Sequence, residues 1–287
     1  MMKAGIPSPL ALRLREPAIL PGFGLAMGIT LTLLLLIVLL PLIALVVKAA
    51  GAGPADILAI ATSPRTLAAL KLSFGAALLA ACVNVVFGLI IAWVLVRYEF
   101  PGRRILDAAV DLPFALPTAV AGIALTAIYA QNGWVGRLFA PYDIKIAYTP
   151  LGVLVALIFI GLPFVVRSVQ PVLADIERDI EEAAVLLGAS RARIVFRVVL
   201  PLVFPSLITG FVLAFARAVG EYGSVIFIAG NVPMMSEIAP LLIVIKLEQF
   251  DYAGAAVVAM MMLLASFVLI FLINGLQAWS RRRLGDV

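Results

Sequence analysis

The sequence predicts an all-α, polytopic integral membrane protein with six transmembrane helices. Of its 287 residues, 64% are apolar and 13% are charged, whereas soluble domains have about 45–50% apolar and about 25% charged residues. A soluble protein of this size could not hide so much apolar surface from water. The chain also contains long apolar runs bounded by charge, the pattern of helices that cross about 30 Å of hydrocarbon. Lipid is therefore expected to be the solvent for much of the chain.

Six apolar runs are predicted to span the membrane, at residues 24–47, 67–96, 108–130, 151–166, 198–219 and 252–276. The first run follows two arginines and imitates a secretory signal. It is longer than the roughly 7–15 apolar residues of such a signal, so we expect a retained anchor. An apolar segment at 238–245 is too short to span and predicts an interfacial or re-entrant helix. A six-span domain is expected over 24–277.

The distribution of Lys and Arg predicts the orientation. Fourteen of these 21 residues lie in four stretches: an N-terminal arm (1–23), two connections (97–106 and 167–197) and a basic tail (278–287). Since cytoplasmic loops carry the excess of Lys and Arg, both termini are expected in the cytoplasm. The net charge of +5 then follows from topology, and no nucleic-acid partner is expected.

Composition also limits the chemistry of the chain. Histidine is absent and cysteine occurs once, as Cys82, so His₃ and Cys₄ metal sites and any Ser-His or Cys-His nucleophile are excluded. No Gly-Lys dipeptide occurs, so the phosphate-binding loop of ATPases is missing. No metal, cofactor or enzymatic activity is expected of this chain. A membrane enzyme, one alternative, would lack the usual catalytic motifs.

The connection at about 168–201 predicts a helix outside the bilayer. Apolar residues recur at helical spacing over 175–187 among acidic ones, which indicates an amphipathic helix. Gly188 is expected to end it in a left-handed conformation. This helix could lie on the lipid surface or dock on a protein. Its acidic face would be repelled by anionic lipid, so a protein partner is favoured.

Within this connection, Glu182-Ala183-Ala184, Gly188 and Val198-Val199-Leu200-Pro201 resemble the EAA-x₃-G-x₉-I-x-LP motif of ABC importer permeases. The one departure is Val for Ile at position 198. The resemblance implies the type I importer permease fold, in which this motif forms a coupling helix that docks on an ATP-binding subunit. It implies that Glu182, Ala183, Ala184 and Gly188 transmit ATP-driven motion, and that the partner binds ATP and Mg²⁺.

Arg217 and Glu221 lie four residues apart in the fifth span, so they share a helix face and can pair. Charged residues inside a span are costly unless they are paired or hydrated. The pair could lock the helix to its neighbours, or it could form part of an anion pathway or gate. We slightly favour the lock, and both interpretations stay open.

The stretches ARAVGEYGSVIFIAGN and EIAPLLIVIKLEQFDYAGA resemble the T-type permease subunits of bacterial sulfate/thiosulfate importers. This resemblance implies an inner-membrane subunit that forms half of the translocation pathway. It also implies four kinds of neighbour: a W-type permease, two ATP-binding subunits, a periplasmic sulfate-binding protein that docks near 231–237, and membrane lipid. The alternatives are a molybdate or tungstate permease, and an ATP-independent channel or secondary transporter that uses Arg217 and Glu221.

Four polar or helix-breaking residues inside the spans could have either a structural or a functional role. Pro113 and Pro117, at the start of the third span, predict either a packing kink, which we favour, or a broken helix that exposes backbone groups. Asn84 and Ser73, on the second span, are expected to make hydrogen bonds between helices rather than to bind substrate.

Overall fold

A computed structural model describes residues 23–284 of the chain, and over this range every regular element is a helix. The predicted N-terminal arm, except Phe23, and the last three residues of the predicted tail lie outside these residues. The chain divides into two compact units, Met1–Val47 and Lys48–Val287. The described part of the first unit belongs to helix α1, Phe23–Ala50, and no residue in the most apolar stretch of this helix is buried.

The second unit contains twelve described helices, which position all the candidate site residues. In chain order they are α2 (Pro54–Ala61), α3 (Pro64–Arg97), α4 (Arg103–Val110), α5 (Leu112–Ala115), α6 (Thr118–Tyr129), α7 (Gly136–Phe139), α8 (Pro150–Asp175), α9 (Arg178–Leu186), α10 (Arg191–Val219), α11 (Val225–Ile228), α12 (Ala239–Glu248) and α13 (Tyr252–Leu284). Short π-helical turns interrupt α1 and α10, and a 3₁₀ turn follows α7.

Five of the six predicted spans are continuous helices. By length and composition, α1, α3, α8, α10 and the Tyr252–Ile273 part of α13 can each cross a membrane. The chain is therefore a multi-pass membrane protein.

The third predicted span, 108–130, is an interrupted helix. After α5 ends, Leu116 takes an extended conformation with ψ 136°, as expected of a residue before proline. Pro117 then precedes α6, which has 12 residues and is about 18 Å long, too short to span alone. The kink that we favoured is thus corrected to a break, because Pro117 cannot donate the hydrogen bond that would continue the helix.

The core of the second unit is the contact among α3, α8 and α10. Small residues let the backbones approach closely: Gly88 of α3 and Gly210 of α10 both lie against Val165 of α8. Buried alanines line α3 toward this contact. Close packing of small residues is a major source of helix association in lipid.

The fourth predicted span is too short in the sequence analysis. Helix α8 continues to Asp175, nine residues past the predicted end at 166 and into the segment assigned to the connection. The charge of Arg167 placed this segment in the connection, but Arg167 and Gln170 both pair with acids of α4 and its following turn. Helix α9 then starts at Arg178, close to the predicted start at 175.

The polar residues on α3 behave differently from one another. Ser73 accepts a 2.8 Å hydrogen bond from the first backbone N–H of α12, which confirms the predicted interhelical role of Ser73. Helix α12 is the short apolar helix predicted at 238–245, and this bond attaches its N-terminal end to α3. Asn84 is fully buried and its amide lies beside Gly161 of α8, yet neither of its side-chain polar atoms has a partner among the described residues. The expectation of an interhelical hydrogen bond is wrong for Asn84, since the glycine beside its amide has no side chain to offer a partner.

Candidate functional site

The EAA segment folds as the short helix α9, and Gly188 lies just past its end. This residue has φ 78°, a conformation that glycine adopts without steric cost. Its N–H donates to the Val185 carbonyl at 2.9 Å, and the next N–H donates to the Ala184 carbonyl at 3.0 Å. These two bonds form a Schellman motif, so the predicted helix stop is confirmed.

Helix α9 presents apolar side chains outward at its C-terminal end. Leu186 is 88% exposed and Leu187 is 89% exposed. Glu182 and Ala183 are also exposed, while Ala184 is half-buried and packs on the core. An outward apolar cluster beside an acidic helix face is typical of a surface that binds another protein. We call Glu182–Leu187 the α9 surface.

Arg97 connects α9 to the rest of the second unit, and the sequence analysis did not single it out. It is the last residue of α3, and its Nη2 lies 2.5 Å from a carboxylate oxygen of Glu181. Both Nη atoms donate at 3.4 Å to the carbonyl of Ile176, just after α8. The guanidinium also lies 5.9 Å from the ring centroid of Trp93. No spacing rule would pair residues 84 positions apart.

Arg217 and Glu221 form an ion pair, as their spacing predicts. The Glu221 side chain is 3% exposed, whereas that of Arg217 is 35% exposed. The other Glu221 oxygen accepts hydrogen bonds from the backbone N–H and hydroxyl of Ser224, at 2.9 and 3.0 Å. Glu221 is thus fixed by buried partners, while the arginine is open on one side.

The non-helical segment that contains Glu221 packs on the first turns of α6, just after the break. Residues 220–224 follow the end of α10, and residues 116–117 form the break before α6. Gly223 lies directly against Thr118, and Gly122 lies against the backbone of Ser224, with no room for a side chain at either glycine. Irregular backbone at membrane depth is stable only where protein covers it or where it lines a water-filled cavity. At these two glycines, protein covers the irregular backbone that follows α10.

The KLEQFDYAGA segment forms the turn between α12 and α13. Lys246 Nζ lies 2.7 Å from a carboxylate oxygen of Asp251, and the N–H of Gly254 donates to the other oxygen at 2.8 Å. The hydrogen bond from Lys246, and then that from Gly254, lower the pKa of Asp251 below its usual value. These residues hold a turn together.

The predicted docking segment 231–237 is anchored at its end. Glu237 is buried and accepts two hydrogen bonds from Arg65, at 2.6 and 2.8 Å. Met234 and Met235 are exposed on the same segment. The sequence analysis missed Arg65 because 172 residues separate it from its partner.

No group of three or more His, Cys, Asp or Glu side chains that could hold a metal ion occurs in the part of the chain that the structure describes.

Comparison with known proteins gives a consistent result. Residues 84–286 match the family described as "Binding-protein-dependent transport system inner membrane component". The chain is 50% identical over 260 residues to the "Probable sulfate transport system permease protein cysT" of Nephroselmis olivacea, covering 91% of this chain and 92% of the relative. It is 48% identical over 265 residues to the "Sulfate transport system permease protein CysT" of Escherichia coli (strain K12), covering 92% and 96%.

Two solved structures share the fold. One is the "Crystal structure of a bacterial ABC transporter involved in the import of the acidic polysaccharide alginate", with a TM-score of 0.73 and 14% identity, covering 89% of this chain and 94% of that one. The other is a bacterial alginate ABC transporter "in complex with alginate pentasaccharide-bound periplasmic protein", with a TM-score of 0.74 and 17% identity, covering 91% and 94%.

Proposed function

This chain belongs to the family of binding-protein-dependent transport system inner membrane components, and we propose that it is a permease subunit of an ATP-driven sulfate and thiosulfate importer. The observation that carries the proposal is identity of about half the residues to sulfate permeases over nine-tenths of the chain. In this proposal the protein lies in a bacterial inner membrane, with both termini in the cytoplasm. It forms half of the translocation pathway together with a W-type permease.

The energy for import comes from a partner. The sequence lacks a phosphate-binding loop, so a separate subunit supplies the ATP site. The family resemblance implies two copies of that subunit, which bind ATP and Mg²⁺. This chain needs no cofactor of its own. The exposed α9 surface, with Leu186 and Leu187 at its end, is the docking site for that subunit. Gly188 fixes where α9 ends and so sets the shape of the surface.

The opposite side of the membrane receives the substrate. A periplasmic sulfate-binding protein docks near 231–237, where Met234 and Met235 are exposed. The buried pair of Glu237 with Arg65 holds this segment in one conformation, which lowers the entropy that docking would cost.

Arg217 is assigned to the anion pathway, with Glu221 as its partner in a gate. Three features support the assignment: the exposed side of Arg217, the fixed carboxylate of Glu221, and the non-helical segment 220–224 that packs on α6. A sulfate ion would compete with the carboxylate for the guanidinium, since both accept charge-assisted hydrogen bonds. The pair would then open only as the anion passes.

Affinity purification of the tagged chain in mild detergent tests the assembly. We expect an ATP-binding subunit, a second permease and a sulfate-binding protein to co-purify. Uptake of labelled sulfate by cells, challenged with thiosulfate, molybdate or tungstate, then tests the substrate. Uptake that molybdate suppresses and sulfate does not would favour the molybdate alternative. Recovery of the chain alone, with sulfate uptake unaffected by loss of the ATPase, would favour a channel or secondary transporter.

A further inference from the structure

Arg97 lies where three helices of the second unit meet. It is the last residue of α3, it binds the carbonyl of Ile176 at the end of α8, and it pairs with Glu181 in α9. Glu181 directly precedes the EAA segment. Since α3 and α8 pack along their lengths in the core, one guanidinium joins the most tightly packed helices to the helix with the exposed surface.

No other described side chain makes this connection. Among the side chains that the structure describes, the Arg97–Glu181 pair is the one ion pair or hydrogen bond between α9 and a residue beyond the adjoining 176–190 segment. The remaining attachment is apolar packing, through residues such as Ala184. Apolar contacts can slide, whereas a short charge-assisted bond keeps its two ends together.

The surroundings of Arg97 favour a tight but movable contact. Its side chain is 10% exposed, so water screens the pair with Glu181 only weakly. The Nε donor is buried and has no partner among the described residues, so the present arrangement does not use every donor of the guanidinium. A cavity of about 570 Å³ adjoins it, lined also by Arg103, Arg167 and Gln170, which leaves space for the side chain to shift.

We propose that Arg97 is the positioning residue that transmits displacement of α9 to α3, and thereby to the core helices. The inference rests on the proposed function, in which an ATPase moves α9. When α9 shifts, the bond from Glu181 pulls the end of α3, and the contact with the carbonyl of Ile176 makes α8 move with it. The contact would therefore decide how much sulfate moves for each ATP hydrolysed.

The test uses the complete complex, purified through a tag on this chain and reconstituted in vesicles. The variants are Arg97→Ala, Glu181→Ala and the double change, with Arg104→Ala as the matched control because Arg104 is exposed and unpaired in the described structure. Sulfate uptake, ATP hydrolysis and the amount of co-purified ATPase subunit are measured on each. The ratio of uptake to hydrolysis is the readout that a merely structural role would not change.

We expect each single variant to assemble normally and to lose about tenfold in sulfate moved per ATP, within the range of allosteric coupling. Because the two residues act as one contact, the double variant should be no worse than the worse single variant. Single variants within twofold of wild type, losses that follow the amount of assembled complex, or losses that multiply in the double variant would each overturn the inference. Failure of the wild-type complex to move sulfate would instead contradict the proposed function.

Discussion

Arg167 and Asp111 form a bidentate ion pair between α8 and the turn before α5, with N–O distances of 2.6 and 2.9 Å. Arg167 also donates at 2.6 Å to the carboxylate of Asp107 and at 2.8 Å to its carbonyl. One arginine thus attaches α8 to α4 and to the segment that leads into the broken third span. Because the break removes helical hydrogen bonds, side-chain contacts of this kind hold its position.

The first prediction concerns Arg167. Arg167→Ala should lower the free energy of unfolding by about 1–3 kcal/mol, less than for a fully buried pair because the cluster is partly exposed. Arg167→Lys should recover only part of the lost stability, since lysine cannot form the bidentate contact. Thermal unfolding in detergent measures both. The control Arg137→Ala, at an exposed arginine, should be neutral, and an equal effect there would contradict the assignment.

The same cluster predicts a dependence on pH. The hydrogen bond from Arg167 lowers the pKa of Asp107 below its usual value. A lowered pKa in the folded state means that the stabilisation is complete above the unfolded pKa of about 3.9 and is lost as the pH falls below it. Asp107→Asn should therefore reduce the acid-induced loss of stability below about pH 4. Melting curves at several pH values check this, and unchanged acid sensitivity would count against it.

Arg217 and Glu221 allow the pathway and locking interpretations to be separated. If Arg217 contacts the anion, Arg217→Ala should abolish sulfate uptake, and adding Glu221→Ala should not restore it. If the pair only locks the helix, the single change leaves a buried carboxylate unpaired, and the double change should recover uptake. Uptake normalised to the amount of protein in the membrane distinguishes the two results, and recovery would remove Arg217 from the proposed pathway.

Gly188 tests the α9 surface. A valine there would occupy a left-handed conformation that costs a β-branched residue about 1–2 kcal/mol, although no neighbouring atom opposes its Cβ. Gly188→Val should leave the protein in the membrane but reduce co-purification of the ATPase subunit. Asparagine tolerates this conformation, so Gly188→Asn is the matched control. If both variants co-purify as much ATPase subunit as the wild-type protein does, the turn does not have this role.

Arg65 and Glu237 set the conformation of the proposed docking segment. Arg65→Ala should destabilise the protein by up to about 3–5 kcal/mol, because it leaves the buried Glu237 carboxylate without its partner. Replacing both residues by leucine should restore much of the loss, because no charge is then buried. Thermal unfolding measures the effect, with the exposed Lys71→Ala as control. A double variant less stable than Arg65→Ala would argue against the explanation.

Features that depend on neighbouring residues in the chain were predictable. Hydrophobic length predicted six spans, five of which are continuous helices. Helical periodicity predicted α9, and the conformational freedom of Gly188 predicted where it ends. The four-residue spacing of Arg217 and Glu221 predicted their pairing. Each of these features depends on the type and spacing of residues that are close together in the chain.

Features that depend on which helices meet were not predictable from one sequence. The partners of Arg65, Arg97 and Arg167 lie 172, 84 and 56 residues away, and no local pattern indicates them. The end of α8 was misplaced for the same reason, because Arg167 looked like a loop residue until its partners were known. Asn84 was expected to make a hydrogen bond between helices, but its amide lies beside Gly161, which has no side chain to bond.

The central claim is that this chain conducts sulfate only when a partner hydrolyses ATP. The most direct test is uptake of labelled sulfate into vesicles that contain the purified complex, with ATP supplied on the ATPase side. The account predicts uptake that requires ATP, the binding protein and the ATPase subunit together. Equal sulfate uptake by vesicles that contain this chain alone, without ATP, would contradict it.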